Sequence, residues 1–104
     1  MITFDSLPET QLHNIAVACQ KNGVKRLELF GSRARQDFTT RSDFDFLVEF
    51  EDPLLPGLFD RFLILRESLE AIVGGEIDLV ESTSIENPFL RRQIDSDRRL
   101  IYAA

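Results

Sequence analysis

Between positions 43 and 50 the chain reads Asp-Phe-Asp-Phe-Leu-Val-Glu-Phe, and this two-residue alternation constrains the fold more than any other stretch. Successive side chains of a strand point to opposite faces, so Phe44, Phe46, Val48 and Phe50 share one face and Asp43, Asp45, Leu47 and Glu49 the other. A face carrying three phenylalanines and a valine must be covered by another layer. The opposite face opens with two aspartates, Asp43 and Asp45, whose Cα atoms are roughly 6.5–7 Å apart at the usual rise per residue, so both can address one site.

The flanking segments supply that layer. Ser6 and Glu9 have capping-box spacing, Pro8 suits a first helical turn, and Leu12, Ile15, Ala16 and Cys19 recur at helical period, which predicts a helix over about residues 7–21. Val24 to Phe30 reads as a strand running into a tight turn at Gly31, and Ser32 to Gln36 as a short helix. After the loop marked by Pro53, Pro56 and Gly57, the apolar positions Leu58, Phe59, Phe62, Leu65, Leu69 and Ile72 mark a helix ending at Gly74-Gly75. Glu76 to Glu81 alternates again as a third strand, Asn87-Pro88 opens a last helix with Phe89, Leu90 and Ile94 inward, and residues 100–102 suit a short edge strand. The expectation is an α/β (α+β) layer fold in one domain spanning 1–104, with a small mixed sheet of three to four strands flanked by helices.

Charge and length exclude several function classes. With 12 Lys and Arg against 18 Asp and Glu the formal charge is −6, which repels nucleic acid and anionic membrane over most of the surface. No apolar run approaches the roughly 20 residues of a membrane span, and the first residues lack the basic start and apolar core of a signal peptide. The single cysteine, Cys19, sits among small apolar residues and reads as a buried hydrophobe in a reducing, cytoplasmic setting. One histidine, His13, on the exposed side of the first helix, makes neither a zinc set nor a nucleophile–base pair.

Acidic residues in strands are usually solvated, and Asp43 alone would be a turn residue. Paired on one face, Asp43 and Asp45 repel each other unless a cation sits between them, and hard carboxylate oxygens suit Mg²⁺. Asp78, within Ile77-Asp78-Leu79-Val80, places a third carboxylate on a candidate neighbouring strand. Such a set fits a pair of ions about 3.5–4 Å apart that serves phosphoryl-group transfer, with Asp78 on the acceptor side in a base-like role. Gly31 and Ser32 supply the phosphate end, because glycine lets the backbone turn closely and the following amides and hydroxyl can donate to phosphate. Arg33 and Arg35, in the next turn, are candidate phosphate contacts. Glu49, Glu76 and Glu81 read as ordinary flanking charges.

Gly31-Ser32, ten residues, then Asp43-Phe44-Asp45 resembles the signature of the DNA polymerase β-like nucleotidyltransferase superfamily. With the lone Asp78 and the short chain, the sequence is similar throughout to the minimal nucleotidyltransferases, MntA-type antitoxins paired with HEPN-domain toxins. The resemblance implies that Gly31 and Ser32 bind the triphosphate of ATP, that Asp43 and Asp45 bind magnesium, and that Asp78 completes the catalytic carboxylates. It implies transfer of AMP to a tyrosine hydroxyl of a HEPN ribonuclease toxin. Neutralisation by binding alone, or transfer to a small molecule, are the competing expectations. Gln36 departs from the glycine that many relatives carry after the Ala-Arg pair. Arg91, Arg92, Arg98 and Arg99 form a local basic patch, read by default as a solvated helix face and alternatively as a partner contact, and Leu58, Phe62, Leu63 and Ile64 a wide apolar stripe shared between core and interface.

Overall fold

A computed structural model describes residues 7–35 and 43–104; the side chain of Ser32 and the expectations placed on Ser6, Gln36 and the 37–42 loop lie outside the described residues. The element order is α1 (Glu9–Lys21), β1 (Val24–Phe30), α2 (Gly31–Arg35), β2 (Phe44–Phe50), α3 (Leu58–Val73), β3 (Ile77–Glu81), a 3-10 turn at Ser82–Ser84, α4 (Pro88–Asp97) and β4 (Arg99–Ala103). The four strands form one mixed sheet in the order β3-β2-β1-β4. β1 runs antiparallel to β2 and β4, whereas β2 and β3 are parallel. A parallel neighbour cannot follow a tight hairpin, and the 16-residue α3 carries the chain back across the sheet.

The phenylalanine face of β2 behaves as its pattern demands. Phe46 and Val48 are fully buried, packed in one core with Leu27 and Leu29 of β1, Ile15 and Cys19 of α1, and Leu65 and Leu69 of α3. Burial on this scale contributes roughly 1.5–3 kcal/mol per large side chain before conformational entropy is charged against it. The wide stripe on α3 divides accordingly: Leu58 and Phe62 pack on the core while Ile64 faces outward. Burial pushes the Cys19 thiol up to about 12, which keeps it neutral and inert.

Helix boundaries follow local chemistry with two corrections. Pro8 is the cap of α1 rather than a first-turn residue, and the helix begins at Glu9 with no side-chain cap bond. Phe89 and Leu90, expected to point inward, are 75% and 44% exposed, so Ile94 is the buried anchor of α4. Asn87 does cap α4, its Oδ1 accepting from the Phe89 and Leu90 amides at 2.9 and 3.4 Å. Gly74 closes α3 in the left-handed conformation, its N–H donating to the Glu70 carbonyl at 2.9 Å.

The last helix lies over the other sheet face, the one that carries Asp45. Arg91 donates to the Ser82 carbonyl at 2.9 Å, and Arg98 pairs with Glu28 of β1 at 3.4 Å and with Asp95 at 3.3 Å. Part of the C-terminal basic patch is thus spent on internal ties, which differs from a solvated face. The buried Glu28 makes them worthwhile, because a carboxylate taken out of water must be paired.

Candidate functional site

The sheet brings two of the three aspartates side by side. Asp45 on β2 is in register with Asp78 on parallel β3 and with Phe30, the last residue of antiparallel β1. Neighbouring strands lie about 4.8 Å apart, so Asp45 and Asp78 project from the same face at adjacent positions. Asp43 lies immediately before β2, two residues from Asp45 and exposed, as is Asp78. Asp45 is half-buried between them.

That crowding appears in the electrostatics. The Asp45 carboxyl is held above its ordinary value, first by burial and then by the negative charges of Asp78 and Asp43, with Arg35 opposing them. Two like charges act on the Asp45 carboxyl and Arg35 answers them. Among the described residues no three His, Cys, Asp or Glu side chains are drawn together into a closed ligand sphere. The donor set instead suits a hard cation that takes one or two carboxylates and completes its shell with water and phosphate oxygens, as magnesium does.

Gly31 completes this end of the sheet. Its φ is +75°, and a Cβ there would run into Oδ2 of Asp45 and lie 3.3 Å from its Cγ. The backbone therefore passes directly against the carboxylate, an approach that only glycine permits. Phe30-Gly31 is where β1 turns into α2, so the sequence Phe-Gly-Ser sets the turn and β2 supplies the acid beside it.

Beside Asp45 opens a cavity of about 360 Å³, whose described lining is Phe30, Gly31, Arg35, Asp45 and, from α4, Leu90, Gln93, Ile94 and Asp97. Arg35 lies on its rim with its guanidinium donating to the Asp97 carboxylate at 2.7 Å, which ties α2 to α4. Arg33 takes another direction. It is buried, with its guanidinium carbon 4.3 Å from the centroid of the Phe44 ring, and it is absent from the described lining of the cavity. The α4 residues were missed in the sequence: Gln93 and Asp97 carry no motif, and only their spacing, Gln93 three residues after Leu90 and Asp97 three after Ile94, puts them on one helix face.

The arrangement joins a close backbone turn, a crowded acidic face and a partly apolar cavity. The nucleotidyltransferase domain family matches residues 15–101. A relative named as a protein adenylyltransferase in Methanocaldococcus jannaschii is 38% identical over 98% of this chain and 99% of its own. A solved minimal nucleotidyltransferase superposes with a TM-score of 0.71 at 28% identity, over 86% of this chain and 88% of that one. The fold also matches a chain of the complex between tri-AMPylated Shewanella oneidensis HEPN toxin and MNT antitoxin, with a TM-score of 0.62 at 19% identity over 92% of this chain and 72% of that one. The chain belongs to the nucleotidyltransferase domain family and is an adenylyltransferase of its minimal type.

Proposed function

We propose that this protein transfers AMP from Mg-ATP to a tyrosine hydroxyl of a HEPN-domain toxin and so neutralises it. The observation that carries the reading is the register that sets Asp45 beside Asp78, with Gly31 pressed against the Asp45 carboxylate. The HEPN toxin as acceptor is carried over from the AMPylated complex that shares this fold.

In this reading the acceptor oxygen attacks the α-phosphorus, a new O–P bond forms, and the bond from that phosphorus to the bridging oxygen of the β-phosphate breaks. Pyrophosphate leaves with the electron pair. Asp43 and Asp45 would hold magnesium, with Asp78 beside them. When bound, the metal would lower the pKa of the acceptor hydroxyl and neutralise charge on the departing pyrophosphate. Asp78, exposed on the edge strand β3, faces the acceptor side and assists removal of the hydroxyl proton. Gly31 and Ser32 cradle the triphosphate through backbone amides, and Arg35 is placed to answer its charge from the cavity rim. For Arg33, stacked on Phe44, the reading is an indirect one: it steadies the strand between Asp43 and Asp45 rather than reaching phosphate.

The test is co-expression of the protein with a candidate HEPN-domain toxin, followed by intact-mass measurement of the purified toxin. The wild type should yield toxin carrying AMP, and the Asp43→Asn/Asp45→Asn double variant unmodified toxin with ribonuclease activity restored. A double variant that still silences an unmodified toxin would replace transfer by neutralisation through binding.

A further inference from the structure

We infer that Gln93 on α4 reads the base of the bound nucleotide and sets a preference for adenine over guanine. The inference rests on the nucleotidyltransferase reading and adds the part of the site that faces away from the phosphates. Gly31 and Asp45 mark the phosphate end of the cavity, yet the same cavity extends along α4 and is walled by Phe30, Leu90 and Ile94. Phosphates have no use for such walls, whereas a flat heterocycle loses apolar surface to them.

Two polar side chains of α4 enter that space, Gln93 and Asp97. Asp97 is engaged by Arg35 at 2.7 Å. The Gln93 side-chain amide has no hydrogen-bond partner among the described residues, although its backbone carbonyl accepts from Ser96. Its carbonyl and amino groups match the N6 donor and N7 acceptor of adenine together, while guanine offers two acceptors, O6 and N7, on the same edge. A glutamine held by a helix on one side of the base therefore discriminates, and it does so without touching the reacting phosphorus.

The experiment is calorimetric titration of the full chain with Mg-ATP and with Mg-GTP, for the wild type, Gln93→Ala and Gln93→Arg. Gln93 is exposed, so neither substitution burdens the core. The wild type should bind ATP about fivefold or more tightly than GTP, the least that a bidentate base contact is worth. Gln93→Ala should remove most of that preference, and Gln93→Arg, which donates to both guanine acceptors, should shift it towards GTP. A wild type without preference, or an ATP-to-GTP ratio unchanged in both variants, overturns the assignment of Gln93 alone. A wild type that binds neither nucleotide overturns the nucleotidyltransferase reading beneath it.

Discussion

Replacing Asp45 by asparagine should stabilise the metal-free protein while abolishing its chemistry. Asp45 and Asp78 are paired residues on adjacent strands, which puts their carboxylates roughly 6 Å apart. With Asp78 exposed, an effective dielectric between about 40 and 80 is appropriate, and the repulsion is then roughly 0.7–1.4 kcal/mol. Asp43 adds to this and Arg35 offsets it, while removing the charge also relieves part of the burial penalty. A net gain of about 1 kcal/mol raises the melting temperature of a domain of this size by about 4–8 °C. Magnesium should invert the order, because an ion at a hundredfold excess over its dissociation constant stabilises the wild type by about 2.7 kcal/mol and the variant has lost a ligand. Thermal melts of both proteins with and without Mg²⁺ read all four values. A variant that melts below the wild type without metal, or that gains as much from Mg²⁺ as the wild type does, would refute the argument.

Gly31→Ala should abolish nucleotide transfer and destabilise the fold by about 1–2 kcal/mol or more, since its φ is positive and its Cβ meets Asp45. Gly74→Ala, also at positive φ but with nothing within 4 Å, should cost about 1 kcal/mol in urea unfolding and leave transfer unchanged. Asn87→Ala removes the cap of α4 and should lower stability by about 1 kcal/mol, with ATP affinity falling as the helix that walls the cavity frays. Cys19 should resist thiol reagents in the native protein. Its folded value lies near 12 against 9.0 for the free thiol, so the stability it contributes is intact below pH 9 and is lost as the pH rises from there towards 12, as alkaline unfolding monitored against Cys19→Ala will show.

The strands and the long helix were legible because their signals are local. The alternation from Asp43 to Phe50 names both faces of β2, and the apolar period from Leu58 with Gly74 behind it delimits α3. What stayed hidden depends on tertiary placement. The parallel register that sets Asp78 against Asp45 is written nowhere in either strand, and it arises from the crossover through α3. Phe89 and Leu90 look like core residues by composition, yet α4 rests on Ile94, leaving Phe89 outward and Leu90 on the cavity wall, with Arg91 and Arg98 tying the helix to Ser82 and Glu28. Arg33 and Arg35 are equivalent by type, and only the turn at Gly31 sends one to Phe44 and the other to the cavity rim. The cavity-facing side of α4 has no sequence signature at all.

Nucleotidyl transfer at the Asp45 site is read in the identity of the phosphorus that moves. Parallel reactions with the partner toxin, Mg²⁺ and ATP labelled at either the α- or the γ-phosphate decide it. Transfer should put α-label on the toxin and release γ-label as pyrophosphate, both lost in Asp45→Asn. The appearance of γ-label on the toxin, or α-label transferred equally by Asp45→Asn, would contradict it.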